Sequence, residues 1–322
     1  MALPGSVSTW LGSMLLAGGL GGAPPAVPGP SAPPSIDSTS PSPVVREYRY
    51  RMSAAIRPLF FWIGSDNVGG ARITWRRGPD GRGFELLLGA DPARAPRRIN
   101  RWGWVREDED AGGASMVGLI RKTDEKTLDE SRANLNVEGK GGYLFKAIQA
   151  RVERDTVTSR NTVWRVERDY TYRDLADVRK IVAAPANASV NASPLPPGAR
   201  PSFMIAVADA VEETIAAALG ADGAAPRLFA DRSWMFMFDA HTYDLRLRES
   251  RWEKPGTYAG QWVPRLLRME FESYNRKLQT TERFTLTCGL DGAWRGVPVY
   301  VKYQPKWWFK AEGVLDDTQT FE

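Results

Sequence analysis

Hydrophobic and polar residues alternate along most of this chain. The clearest example is the stretch 145–172, FKAIQARVERDTVTSRNTVWRVERDYTY. Its apolar side chains alternate with Gln, Arg and Glu; a polar run at 158–161 interrupts the alternation, which then resumes. A period of two places one face of a strand against a core and the other in water. We therefore predict two long amphipathic strands joined by a turn at 158–161.

The same period recurs on both sides of this hairpin. Clusters rich in Gly, Pro, Asp and Asn separate the alternating runs, and the clusters at 65–70 and 79–81 predict turns. The continuously apolar stretch 56–63 predicts a further strand. The alternating runs are Ala71 to Trp75, Phe84 to Leu88, Tyr243 to Leu247, Leu267 to Phe271 and Phe284 to Cys288.

One segment has the period of a helix instead. From Phe203 to Leu219 apolar residues recur four apart, acidic residues occupy the far side, and Gly220 follows as a stop signal. A helix at a membrane surface usually has a cationic polar face, so we expect this one to pack on a sheet. Shorter helices are predicted at 123–135 and 174–184.

These elements predict a mainly β fold of the α+β class. We expect one or more large antiparallel sheets, half-barrel-like in shape, with a helix packed on one face. The chain divides into a signal-like segment and tether at 1–43, a β-rich half at 44–184, a Pro-rich linker loop at 185–202, and a helix with a second β half at 203–322.

The N-terminal segment predicts export. Residues 9–20 are apolar and uncharged, which is about the length of a signal-peptide core and too short for a comfortable membrane span. Residues 23–43 are rich in Pro, Ser and Ala and predict an extended tether. We expect a periplasmic or secreted protein whose membrane association is at most peripheral.

Two strands end in the same motif. Residues 84–91 and 284–291 both read F-x-L-x-x-G-x-D. Such an echo is expected either from two halves of similar design or from two unrelated strands that end in a Gly/Asp turn, and we favour the second interpretation.

Composition adds a weak basic bias. The chain has 322 residues, 43% of them hydrophobic, and a formal net charge of +5. A positive surface suits polyanions, but acidic residues are interleaved with the basic ones almost everywhere, whereas phosphate tracking needs clustered cations. We therefore interpret the charge as a solvated surface and expect no nucleic-acid partner.

The counts of cysteine and histidine exclude whole classes of chemistry. One cysteine, Cys288, allows no intrachain disulfide and no multi-cysteine zinc site, and one histidine, His241, allows no histidine cluster. Phosphate-binding, zinc-protease and dinucleotide motifs are absent from the sequence. We expect no metal and no cofactor.

The best catalytic candidate is His241 with Asp239 or Asp244. A histidine beside carboxylates is a candidate general base, but no serine motif of the nucleophile-elbow type accompanies it. We favour a turn histidine between two strands and keep a hydrolase as an alternative.

Tryptophan is the more informative residue type. The chain has 12 tryptophans, and Trp307 and Trp308 are adjacent, so a strand there would place one ring on each face. A ring on the outer face needs a cover, which the helix, a ligand, a membrane or a partner could supply. We predict that Trp62, Trp75, Trp307 and Trp308 line an apolar groove.

This layout of a signal, a tether, one long antiparallel sheet and a helix on one face resembles the half-barrel lipoprotein carriers of the bacterial envelope, the LolA/LolB type. The resemblance rests on layout and not on motif residues. It implies a non-enzymatic envelope protein that binds a lipid or amphiphile in a sheet-helix groove. The alternatives are a structural module that docks an envelope protein or a glycan, and the hydrolase described above.

Overall fold

The computed structural model describes residues 44–318 apart from 58–61, 79, 96–97, 99, 122–142, 167–169, 178–187, 221–225 and 307–308. Several predictions fall outside the described residues: the signal-like segment and tether, the helix at 123–135, most of the helix at 174–184, and the positions of Trp307 and Trp308.

The described part of the chain is built mainly from strands. They are β1 (Val44–Ile56), β2 (Ile63–Arg77), β3 (Gly81–Ala90), β4 (Trp102–Asp110), β5 (Gly113–Arg121), β6 (Tyr143–Glu153), β7 (Thr156–Val166), β8 (Ala188–Pro194), β9 (Arg232–Phe238), β10 (His241–Glu253), β11 (Gly256–Tyr258), β12 (Gln261–Val263), β13 (Leu266–Asn275), β14 (Thr280–Gly289), β15 (Pro298–Lys306) and β16 (Phe309–Leu315). The α-helix α1 spans Phe203–Leu219, and short 3₁₀ helices span Tyr172–Asp177 and Gly292–Trp294.

One antiparallel sheet contains nearly all of these strands. Its 14 strands run in the order β8-β7-β6-β5-β4-β3-β2-β1-β16-β15-β14-β13-β10-β9, and β11 and β12 form a separate hairpin. Two meanders are therefore joined where the first and last strands pair. The predicted mainly β fold, with a large antiparallel sheet and a helix on one face, is confirmed.

The sheet rolls until its two edge regions meet, although the strand ladder does not close. Arg200, which follows β8, bonds to β9 through its backbone: its N–H donates to the carbonyl of Met235 at 2.8 Å, and its carbonyl accepts from the N–H of Met237 at 3.0 Å. Met237 packs in a small cluster with Val152 and Val157 from the other end of the sheet.

Helix α1 lies inside the rolled sheet. Its buried side chains share one core cluster with residues from β4 to β6 on one flank and from β9, β10, β13 and β14 on the other. The helix begins and ends where the sequence predicted. Gly220 adopts the left-handed conformation with φ 66° and donates to the carbonyls of Ala216 and Ala217, which ends the helix.

The outer face of the sheet has an apolar cluster of its own. Trp102 and Phe145 are fully buried there, with ring centroids 5.0 Å apart, and they pack with Tyr172 of the first 3₁₀ helix. The indole N–H of Trp102 donates to the carbonyl of Tyr170 at 2.6 Å. These outer rings are therefore covered by the chain after β7 and not by α1.

The predicted turn at 158–161 is wrong. The hairpin turns at Arg154 and Asp155, between the end of β6 and the start of β7, with Arg154 at φ 54°. Ser159 and Asn161 belong to β7, and their side chains bond to Asp239. The polar run 158–161 resembled a turn because it contains two inward-facing polar residues, Ser159 and Asn161, that donate hydrogen bonds to the buried carboxylate of Asp239.

Two other predicted loops are strands. Residues 65–70 belong to β2. The strand has a bulge at 66–68, where turn-type residues such as Asp66 and Asn67 are accommodated without ending the strand. Gly69 is required because a Cβ there would lie 2.0 Å from the carbonyl oxygen of Gly89. Within the predicted linker loop 185–202, Ala188–Pro194 forms β8 and pairs with β7.

Candidate ligand cavity

An internal cavity of about 700 Å³ separates α1 from part of the sheet. The neighbouring strands β4, β3, β2, β1, β16, β15 and β14 form one curved wall, and the first half of α1 forms the opposite side. Pockets of this volume lie within the range that holds small ligands.

The cavity is predominantly apolar. Its wall includes Tyr50, Trp75, Phe84, Leu86, Phe284 and Leu286, and the helix contributes Phe203, Met204, Val207, Ala208 and Val211. The pleat explains the wall, because alternate residues of each strand point inward, as the sequence pattern predicted.

Trp75 lies near one end of the cavity within a group of aromatic rings. Its ring centroid lies 5.8 Å from that of Tyr48 and 6.4 Å from that of Phe84, in edge-to-face arrangements. The guanidinium carbon of Arg46 lies 6.0 Å from the centroid of Trp75. Such geometries stabilise ring positions beyond area burial, so this part of the wall is preorganised.

The cavity lining includes one fully buried carboxyl, that of Glu107 on β4. Its Oε2 accepts from the backbone N–H of Met204 at 2.8 Å and of Ile205 at 3.2 Å, and from the hydroxyl of Ser202. Glu107 therefore caps the N-terminus of α1 from a neighbouring strand, because the Ser202 side chain itself makes no capping bond.

The second oxygen of Glu107, Oε1, is buried and has no hydrogen-bond partner among the described residues. Burial raises the pKa of Glu107 to about 7, although bonds from Ser202 and the helix N–H groups act in the opposite direction. A carboxyl of this kind gains or loses a proton near neutrality.

Four arginines surround the solvent-facing end of the cavity. We call this group the arginine mouth; its members are Arg46, Arg77, Arg82 and Arg295, and all four contribute to the lining. The side chains of Arg82 and Arg295 are 35% and 40% exposed, and Arg77 is exposed. The deeper lining residues Tyr50 and Phe238 are buried.

The predicted groove tryptophans fall in three places. Trp75 lines the cavity. Trp62 does not; it is 36% exposed and lies beside Lys310, whose Nζ is 5.2 Å from the ring centroid. β1 ends at Ile56 and β2 begins at Ile63, so Trp62 precedes β2 and does not lie within a strand. Trp307 and Trp308 lie outside the described residues.

His241 occupies the first position of β10, directly after a turn formed by Asp239 and Ala240. Both turn residues have positive φ, at 51° and 55°, which is the geometry of a tight two-residue hairpin. His241 Nε2 lies 3.4 Å from the Nζ of Lys277. Burial and then Lys277 lower the pKa of His241.

The three residues of the hydrolase alternative do not converge. Asp244 binds Arg276 at 2.6 Å, and Asp239 is buried and binds elsewhere. Within the described part of the chain no serine hydroxyl or carboxylate lies within hydrogen-bond distance of His241. The geometry fits the turn histidine that the sequence favoured.

Asp239 holds the two ends of the sheet together. Its Oδ1 accepts from the Ser159 hydroxyl and from the Asn161 amide, each at 2.5 Å, and Lys146 Nζ lies 3.7 Å from its Oδ2. Ser159 and Lys146 are both buried. This cluster joins the β9–β10 turn to β6 and β7, which are far away in strand order.

The described residues contain neither a cluster suited to a metal ion nor an accessible cysteine thiol. No group of three or more His, Cys, Asp or Glu there is arranged to hold a metal ion. Cys288 is fully buried on β14, and burial raises the pKa of its thiol, so it is protonated at neutral pH.

The two F-x-L-x-x-G-x-D strands lie on opposite sides of the cavity wall, with β3 next to β4 at one end and β14 at the other end. Phe84 and Leu86 project from β3, and Phe284 and Leu286 from β14. Each motif glycine lies under an aromatic residue: a Cβ at Gly89 would meet Tyr172 at 2.5 Å, and one at Gly289 would meet Trp294 at 2.5 Å.

Sequence reasoning missed Glu107 and the arginine mouth. Glu107 lies in the acidic run REDED, which reads as a solvated strand end, and its inward position follows only from the pairing of β4 with β3. The arginines come from four separate segments, so the sequence contains no local signal for their convergence.

Fold and cavity together define an antiparallel β protein rolled around a helix. No protein-family model and no curated protein matches the chain. The solved structures that match include the crystal structure of a β-barrel-like protein of domain of unknown function DUF1849 from Brucella abortus. That match has 10% identity and a TM-score of 0.42, and covers 86% of this chain and 97% of that one.

The resemblance in layout to LolA/LolB-type carriers is not confirmed by these comparisons. Among the described helices, none combines the length and apolar character that a bilayer crossing requires.

Proposed function

We propose that this protein is a non-enzymatic binding protein that takes an apolar or amphiphilic, lipid-like ligand into the cavity beside α1. The observation that supports this most strongly is the cavity itself, which has a volume of about 700 Å³ and an apolar lining. Protein interiors normally pack without voids larger than a water molecule, and apolar cavities that persist are suited to apolar ligands.

Access to the cavity follows from the exposure of its lining. The mouth residues are partly exposed, whereas Tyr50, Val105 and Phe284 further inside are buried. A chain-like ligand can therefore place its tail among the buried rings while its head stays near solvent. Export to the periplasm or beyond remains part of the proposal and rests on residues 1–26 of the sequence.

The test uses the described cavity directly. Isothermal titration calorimetry with dodecanol, a neutral amphiphile, is expected to show saturable binding with a negative heat-capacity change, the mark of apolar burial. In the variant Val207→Phe a ring fills the space beside α1, and we expect binding to weaken at least about tenfold, equivalent to 1.4 kcal/mol.

The matched control makes the same substitution outside the cavity. Val190 is 52% exposed on β8, so Val190→Phe should leave dodecanol binding unchanged. Native mass spectrometry of the purified protein should also show a co-purified lipid. Absence of any dodecanol binding, or equal weakening in the two variants, would contradict the proposal.

A further inference from the structure

We propose that the cavity selects amphiphiles with an anionic head group, a carboxylate or a phosphate, which Arg46 and Arg77 bind at the arginine mouth. This inference rests on the proposed function and adds to it the class of ligand. It requires that the mouth carries uncompensated positive charge, that this charge adjoins the apolar lining, and that nearby carboxylates are already engaged.

Arg46 and Arg77 carry the uncompensated charge. Arg82 is paired with Glu109 at 2.8 Å and with Asp209 at 2.6 Å, and Arg295 is paired with Glu212. Within the described residues, no carboxylate lies within 4 Å of the guanidinium of Arg46 or Arg77. Two of the four mouth arginines are therefore available to a ligand.

The position of Arg77 is costly without such a ligand. It stands directly opposite Arg82 in the register of β2 and β3, and like charges directly opposite each other on paired strands are destabilising. Glu109 offsets the charge of Arg82, and Asp209 is shared between Arg82 and Arg200, whose Nε lies 2.6 Å from its second oxygen. An anion between the two guanidinium groups would relieve this repulsion, because guanidinium recognises carboxylate and phosphate through paired N–H donors.

Arg46 is held in place at the boundary between charge and apolar surface. Its Nη1 donates to the carbonyl of Ala293 at 3.1 Å, and its guanidinium lies over Trp75. Guanidinium has five N–H donors, so most of them remain for a ligand. A head group bound here would have its tail directed past Trp75 and Phe84 into the cavity.

The acidic residues of the lining do not oppose an anion at the mouth. Glu212 is paired with Arg295, and Glu312 with Lys310 at 2.8 Å. The carboxyl of Glu107 is bound to the N-terminus of α1, where the helix dipole offsets its charge. Each carboxylate of the lining is therefore already engaged by a cation or by the helix N-terminus.

The experiment compares four ligands that share one tail: dodecanoate, dodecyl phosphate, dodecanol and dodecyltrimethylammonium, each below its micelle concentration. We expect the two anions to bind about ten- to a hundredfold more tightly than dodecanol, the range given by hydrogen bonds to charged groups, and the cation to bind most weakly. The ratio of the two anion affinities identifies carboxylate or phosphate as the preferred head. Because screening weakens exposed charges, the advantage of the anions should shrink at high salt.

Two variants test the assigned residues. Arg46→Gln and Arg77→Gln should each lower the affinity for the preferred anion about tenfold and lower that for dodecanol much less, so that the ratio of the anion affinity to the dodecanol affinity falls. Arg251→Gln is the control, because Arg251 is exposed on the outer face of β10 and its removal changes the net charge equally.

The outcomes separate this inference from the proposed function. Tight dodecanol binding that Val207→Phe abolishes, with equal affinity for all head groups, would overturn the anionic selectivity and leave the cavity function standing. Equal losses in Arg46→Gln and Arg251→Gln would show a general charge effect and would overturn the assignment to the mouth. Failure of every ligand to bind would remove the proposed function and this inference with it.

Discussion

The interior of this protein has a packed part and a hollow part, and the same helix serves both. One side of α1, which carries Ala210, Thr214, Ile215 and Ala218, is packed: these residues are fully or almost fully buried, and the nearby sheet residues Leu245 and Leu267 are equally inaccessible. In its first half, the helix side that carries Met204, Val207 and Ala208 borders the cavity instead.

The difference shows which part of the interior provides stability and which part the proposed ligand would occupy. A packed interior loses dispersion contacts with every atom removed. Residues around Ile215 are therefore expected to contribute strongly to the free energy of unfolding. The hollow part lacks such contacts. Selection for stability alone would favour larger side chains that fill this space. We interpret the cavity as a site kept open at the expense of stability.

The largest expected effect is on the packed part. Ile215 is fully buried within the main core cluster, so Ile215→Ala should lower the free energy of unfolding by about 2–5 kcal/mol. Urea denaturation followed by far-ultraviolet circular dichroism measures this change. If the loss were below about 1 kcal/mol, the side of α1 that carries Ile215 would not be packed as described above.

The next effect concerns Glu107, which lies where α1 meets the hollow part. Its pKa in the folded protein is about 7, above the ordinary 4.5, so the folded state binds the proton more tightly than the unfolded state. The stabilising contribution of this proton is complete below pH 4.5 and is lost as the pH rises to about 7. The linked change in stability is on the order of 3 kcal/mol.

Glu107→Gln should remove this part of the pH dependence, because an amide does not titrate and its carbonyl oxygen can still accept from the helix N–H groups. Urea unfolding at pH 5 and pH 8 measures the slope. Glu109→Gln is the control from the same strand, since Glu109 is 32% exposed and paired with Arg82. A variant Glu107→Gln with the same slope as the parent would refute this explanation of the buried carboxyl.

These two regions also differ in how far the sequence predicted them. The packed side of α1 follows from a local period, and the helix bounds Phe203–Leu219 were predicted to the residue. The alternating strands likewise predicted the sheet and placed Trp75 on its inner face. Local periodicity predicts which face of an element is buried, whatever lies opposite.

The sequence predicted an apolar groove that includes Trp75, but the polar residues that border the hollow part depend on contacts between distant segments and were not predicted. Glu107 meets Ser202 across 95 positions, and Ser159 meets Asp239 across 80. A buried polar residue looks like a surface or turn residue until its partner is known. For this reason residues 158–161 resembled a turn, and the REDED run resembled a solvated strand end.

The smallest expected effect gives the most direct comparison of the two parts, because α1 carries an alanine in each. Ala208 lines the cavity, whereas Ala210 is fully buried against the packed core. Enlarging Ala210 to leucine forces side chains together and should cost about 1–3 kcal/mol. The same enlargement at Ala208 has free space to enter, so Ala208→Leu should change the free energy of unfolding by less than about 0.5 kcal/mol while it weakens dodecanol binding.

Thermal unfolding of both variants measures the change in stability, and the calorimetric titration measures the change in dodecanol affinity. Equal destabilisation by the two substitutions would mean that the space beside Ala208 is not open in solution, and the division of the interior into a packed and a hollow part would then fail.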